Sequence, residues 1–201
     1  DLIEASEIST VALESYNVIV LTEGYYSIGE STMEKINDWV SAGGRLVAIG
    51  SAINKLSGKD GFEIESKGTP EPDTSEKEPP VHHPEPYAGS DRRSMSDDIP
   101  GSIFQTTLDT THPLCFGLGE TYWTLKSTTS NYQWLEEGGN AIYLDDSPRY
   151  YGFVGYRALE KTKNTLIAGQ EQIGGGSVVY FVDNPMFRSF WNSGKVLFSN
   201  A

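Results

Sequence analysis

One cysteine in the whole chain, Cys115, excludes an intrachain disulfide and any Cys-x-x-Cys redox or metal motif. Histidine is almost as scarce, with His82, His83 and His112. His82 and His83 are neighbours in a Pro-rich stretch, where adjacent side chains rarely converge on one ion. No H-E-x-x-H spacing occurs, so no metal site is expected in this chain. Basic residues are also in short supply, with 15 Lys and Arg against 28 Asp and Glu and a formal net charge of −13. Phosphate backbones and anionic membrane surfaces call for a basic face, so neither nucleic acid nor a membrane is an expected partner. No apolar run is long enough to span a bilayer and no secretory leader is visible. The chain opens on Asp1-Leu2-Ile3-Glu4 without Met, which reads as a processed product or a piece of a longer polypeptide.

What is present points to one α/β domain over 1–201, with 37% hydrophobic and 11% aromatic residues to fill a core. Asn17 to Leu21 is a β-branched apolar run of the kind buried on both faces of a parallel sheet. Ser31 and Glu34 have the spacing of a capping box, and Met33, Ile36 and Val40 follow at helical spacing. Gly43 and Gly44 stop that helix, and Arg45 to Ile49 reads as a second buried strand. Two apolar strands with a helix between them make a right-handed βαβ unit. A short helix is expected from Ser51 to about Leu56. Before this unit, Asp1 to Glu14 reads as the end of a strand and a short helix or turn.

From about 58 to 100 the pattern changes. Seven of the ten prolines fall here among frequent acidic residues, and such a stretch buries too little apolar surface to offset its ordering entropy, so it reads as a surface insertion. Strand patterns resume at Ser102 to Leu108, Tyr122 to Leu125, Asn140 to Leu144, Tyr151 to Val154, Thr165 to Ala168 and Ser177 to Val182. Asn184-Pro185 opens a last helix whose apolar side is Phe187, Phe190, Trp191, Val196 and Leu197.

Candidate functional residues gather where strands end. In open parallel sheets, sites lie at the carboxyl ends of strands. Ile49-Gly50-Ser51 is a sharp strand-to-helix turn that presents Ser51. His112 could serve it as a base and Glu23 as a third member, because such partners are far apart in sequence; a turn histidine that packs and bonds locally is the favoured reading of His112. Tyr25, Tyr26 and Ser51 are candidates for binding a ligand. Gly24 to Gly29 follows a strand but lacks the Lys-Ser/Thr completion of a phosphate loop, and Gly174 to Gly176 precedes a strand and is a turn. Asp183, Arg188 and Trp191 are expected to form a structural clamp, Asp183 pairing with Arg188 to fix the last helix to the sheet. Tyr25, Tyr26, Tyr87, Tyr150, Tyr151 and Trp123 could line a carbohydrate or peptide groove or a domain contact.

Several stretches carry a family resemblance: Tyr16 to Leu21, Gly43 to Gly50, Ile99 to Phe104, Leu108 to Leu114 with Phe116-Gly117, and above all Phe181-Val182-Asp183-Asn184-Pro185-Met186-Phe187-Arg188-Ser189-Phe190-Trp191. Together they resemble the class I glutamine amidotransferase-like domain at the C-terminus of bacterial M14 zinc carboxypeptidases, particularly from the Bacteroidetes. The resemblance implies a three-layer, flavodoxin-like α/β fold with a mostly parallel sheet and an antiparallel extension around Tyr122 to Val154. It implies a domain without catalytic residues of its own, attached to an exported or periplasmic peptidase whose zinc lies upstream. Such a domain would dock on the upstream peptidase domain or help position its substrate. Self-association is a further possibility, as is a Ser51–His112 hydrolase. In the amidotransferase-like frame the nucleophile stands on the elbow as cysteine; here that position is Ser51, without the flanking Gly-x-Cys-x-Gly pattern.

Overall fold

The computed structural model describes residues 1–68 and 86–201. Strands β1 (Val18–Leu21) and β2 (Arg45–Ile49) flank helix α1 (Glu30–Ser41), as the apolar spacing predicts, but β1 is an edge strand with Val18 and Val20 exposed and is not buried on both faces. Met33, Ile36, Trp39 and Val40 form the buried stripe of α1. The capping box does not form. Ser31 lies inside the first turn, the N-cap is Gly29 without a side-chain bond, and Glu30 places its carboxylate at the helix start. Gly43, with φ +119°, ends the helix. At Gly44 a Cβ would stand 2.4 Å from the Trp39 ring, so only glycine lets the indole lie flat on the backbone.

Helix α2 (Ser90–Ser96), β3 (Ser102–Leu108), β4 (Tyr122–Lys126), β5 (Gly139–Leu144), β6 (Tyr150–Tyr151), α3 (Tyr156–Thr162), β7 (Thr165–Ile173), β8 (Gly176–Phe181) and α4 (Asn192–Ser199) complete the fold. All eight strands belong to one sheet in the order β1-β2-β8-β7-β5-β3-β4, with β6 beside β3. The expected mostly parallel sheet needs correction. Only β1–β2 and β2–β8 pair in parallel, and the other five pairings are antiparallel. A parallel neighbour requires a long crossover, whereas β7 reaches β8 through the tight turn at Gly174-Gly175. The fold is mixed α/β, and its antiparallel part is the larger.

The sheet is curled. β4 stands four places from β8, yet the Thr124 hydroxyl donates to Asp183 just beyond the end of β8 at 2.9 Å. Tyr122, Thr124 and Lys126 face inward from β4 and are buried. One core lies on the α1 side, around Ile36, Leu46, Ile53, Ile64 and Tyr180. The other fills the curl with Ile49, Ile99, Phe104, Ile142, Phe181 and Leu197.

Four local expectations change. Residues 50–55 form a 3-10 helix (Gly50–Lys55) rather than an α-helix. The first fourteen residues contain turns and no strand. The insertion at 58–100 is shorter than its composition implies: Phe62, Ile64 and Ile99 are core residues, Ser66 bridges to Tyr132, and α2 is helical. His82 and His83 lie outside the described residues. The last helix does not run from Pro185. Arg188 and Ser189 adopt φ values of 46° and 61° inside a short 3-10 turn (Phe187–Ser189), which Phe190 and Trp191 separate from α4.

Candidate functional site

β1, β2, β8 and β4 run in one direction, so their carboxyl ends form a single rim. A cavity of about 90 Å³ opens there between Glu23, Gly50, Ser51, Ser127, Ser130, Asp183, Asn184 and Phe187. It lies where a cleft is expected in a sheet of this kind, outside the carboxyl ends of the strands.

Each wall has a local cause. Gly50 has φ +55°, and a Cβ on it would lie 2.6 Å from Glu23 Cγ, so glycine lets the Glu23 side chain cross the elbow. The turn exposes Ser51, whose Oγ accepts the Gly24 N–H at 3.2 Å. That bond ties the loop after β1 to the loop after β2. Tyr26 folds back, donating its hydroxyl to the Thr22 carbonyl at 2.8 Å, with the Lys55 ammonium 5.5 Å from its ring. Tyr25 projects fully into solvent.

The floor is a buried charge pair. Lys126 has no exposed surface, and its Nζ lies 3.5 Å from Asp183 Oδ1 and donates to the Ser130 carbonyl at 2.8 Å. Asp183 Oδ2 accepts from Thr124. Burial, with the Asp183 charge behind it, raises the Tyr122 phenol. Two charges this deep hold only because each is hydrogen-bonded as well as paired.

The expected clamp therefore needs a new partner. Asp183 pairs with Lys126, and Arg188 instead lies over the Phe187 ring at 5.2 Å, because the left-handed turn at Arg188 and Ser189 carries its side chain outward. Two consecutive non-glycine residues in that region cost about 1–2 kcal/mol each. Trp191 does fasten the segment to the sheet, donating its Nε1–H to the Trp123 carbonyl at 2.8 Å.

His112 is not brought to Ser51. β3 runs against β4 and β5, so the residues that follow β3 lie at the opposite rim. There His112 caps a 3-10 turn, its Nδ1 accepting the Leu114 N–H at 3.1 Å, and its ring lies against Gly139 at the start of β5. Burial lowers its basicity, with Asp109 opposing. Cys115 is buried nearby, and burial pushes its thiol up to about 11. Lys126 and Thr124 escaped the sequence reading. The signal was available in the alternation of Tyr-Trp-Thr-Leu-Lys, which places the lysine on the inward parity of β4.

A second buried carboxyl was also unforeseen. Glu171 on β7 accepts the Tyr180 hydroxyl at 2.6 Å and the Glu63 N–H at 2.8 Å, and burial raises its pKa. Among the described residues, no group of three His, Cys, Asp or Glu side chains could hold a metal ion. No helix among them is long and apolar enough to cross a membrane.

No family model and no curated protein matches the chain. Solved structures do. A ThuA-like protein from Bacteroides uniformis superposes with a TM-score of 0.50 at 12% identity, over 96% of this chain and 72% of that one. A Salmonella typhimurium protein described as cytoplasmic gives a TM-score of 0.49 at 15% identity, over 98% of this chain and 76% of that one. A cold-adapted β-galactosidase from Rahnella sp. R3 gives 0.49 at 16% identity, with 96% of this chain matching 23% of that enzyme. At these identities the likeness is one of fold, a mixed α/β sheet of the ThuA-like kind.

Proposed function

We propose that this chain is a non-catalytic accessory domain of class I glutamine amidotransferase-like, flavodoxin-related ancestry, which docks on a neighbouring zinc carboxypeptidase domain of the same exported polypeptide. The observation that carries this reading is the state of the elbow. The position where such a fold would hold its nucleophile is Ser51, its Oγ is engaged by the Gly24 N–H, and His112 sits at the opposite rim. A serine nucleophile needs a base within hydrogen-bond reach, and His112 offers none there. The small cavity above the Lys126–Asp183 pair is lined by Asp183, which holds the sheet in its curl.

The peptidase association rests on the segment from Phe181 to Trp191, which resembles the C-terminal domains of those enzymes. Its residues have structural work here: Asp183 anchors β4, and Trp191 fastens the last turn to the sheet. On this reading zinc belongs to the upstream domain, which supplies the peptidase chemistry, and this chain contributes a docking surface. Light scattering of this chain mixed with the separately produced upstream region tests it. The expected result is a one-to-one complex. A chain that ignores the upstream region overturns the reading, and one that forms homodimers instead replaces it with self-association.

A further inference from the structure

Two groups of aromatic rings, joined by one hydrogen bond, form a row with an arginine at each end. Phe187 meets Phe190 edge-on at 6.0 Å, and Phe190 lies 5.9 Å from Trp191. Trp191 is bonded to the backbone of Trp123, whose ring stands 5.6 Å from Tyr151. Arg188 stacks on the first ring of the row, and Arg149 lies over the last, with its Nη2 donating to the Tyr151 hydroxyl at 2.6 Å. Phe190 and Tyr151 remain 57% and 54% exposed. The rings are thus held in place by one another while a large part of their surface faces solvent.

The charge of the row is the reverse of the molecule's. The chain carries −13 overall, yet the row's own side chains include two guanidinium groups and no carboxylate, with Asp145 lining a pocket beside Arg149. Among the described residues, neither Arg149 nor Arg188 has an ion pair. On a surface so rich in acid, an arginine could readily find a carboxylate. Here both lie on rings instead, and Arg188 is held there by a left-handed backbone that a glycine would adopt more easily. Trp, Tyr, Phe and Arg without Lys, Asp or Glu is the composition of the desolvated centre of a protein–protein interface. A guanidinium fork matches a carboxylate with two parallel hydrogen bonds.

We propose that this row is the docking face, and that its occupant is a carboxylate-bearing surface of the neighbouring domain in the same polypeptide. The inference rests on the accessory-domain reading and adds the face and the chemistry of its partner. Carboxylates from that domain pair with Arg149 and Arg188 while its apolar side chains cover Phe190 and Tyr151. The rings are pre-ordered, so docking fixes few additional side chains.

The test uses the full polypeptide with Phe190→p-benzoylphenylalanine as a photo-crosslinker, and a control crosslinker at Tyr25 near the other edge of the rim. The expected result is crosslinks from position 190 to an Asp- and Glu-containing segment outside 1–201, reduced at least about tenfold by R149E/R188E. The R149K/R188K variant, which keeps the charge and loses the fork, should fall in between. Both arginines are exposed, so these variants should fold, and circular dichroism checks this. Crosslinks unchanged by charge reversal overturn the arginine–carboxylate pairing. Crosslinks into a second copy of 1–201 overturn the choice of occupant. If position 25 crosslinks to the neighbouring domain and position 190 does not, the face is wrong while the docking reading survives. If light scattering finds no complex at all, the docking reading itself has failed.

Discussion

Asp183 and Glu171 are two buried carboxyl groups attached to the same central strands, and they are made tolerable in opposite ways. Asp183, just past β8, faces an ammonium and a hydroxyl. Glu171, on β7, faces a phenol and a backbone N–H, both neutral. Its pKa rises through burial, while the two donors pull the other way. The difference lies in what each group must hold. Asp183 ties together strands four places apart in a curled sheet, and an opposite charge is a strong partner over that gap. Glu171 bonds to Tyr180 on the adjoining strand and to the 61–64 segment beside it, where ordinary hydrogen bonds suffice.

The comparison can be broken most forcefully at Lys126. K126M leaves Asp183 buried without its countercharge and should cost about 3–5 kcal/mol in urea unfolding. K126M/D183L, which removes both charges, should recover most of that loss. A K126M protein as stable as the wild type would show that the pair does not hold the curl.

Y180F removes one neutral donor from Glu171 and should cost about 1–3 kcal/mol, less than the lysine substitution. The pH dependence sharpens the contrast. Because the folded pKa of Glu171 is raised, the folded state binds its proton more tightly than the unfolded chain does. Its contribution to stability is therefore complete below the ordinary value of 4.5 and is lost as the pH rises through the folded value. Urea midpoints measured upward from that pH should decline through this window in the wild type and lose that component in E171Q. The slope is the readout, since E171Q also disturbs one hydrogen bond.

At the elbow, G50A forces a Cβ into Glu23 at a positive φ and should cost about 1–3 kcal/mol, part of which E23A restores. The smallest effect is expected on the surface. D97N removes the partner of Arg157 and Lys161, whose contacts are open to solvent, and should leave the melting temperature within experimental scatter.

Much of this architecture is written in local patterns. The alternation in Ser102–Leu108 and the apolar runs at β2 and β8 mark strands because burial imposes its period on the chain. The direction of pairing is not local. Whether a strand joins its neighbour in parallel depends on the path between them, and of the antiparallel pairings only β7–β8 is closed by a tight turn, so no single segment declares the rest. The site was legible at Gly50 and Ser51, where a sharp turn must follow an apolar strand. The alternation of β4 gives the inward parity of Lys126 but not its burial, because a lysine on an edge strand normally points to water. Only the curl, a property of the whole sheet, carries it to Asp183 and turns Arg188 away from the pairing its spacing had invited.

The strand order also sets the timing of assembly. β2 lies beside β8, and Arg45 finds its partner Ser177 only after 132 further residues have been added. During synthesis the unit of β1, α1 and β2 emerges early with one side of β2 bare, whereas every strand from β3 to β7 finds its partners within the later group β3 to β8. Long-range parallel pairing closes late and slowly. The central seam between β2 and β8 is therefore the last to be sewn, and an interrupted chain would present the unpaired backbone edge of β2 to whatever it met first.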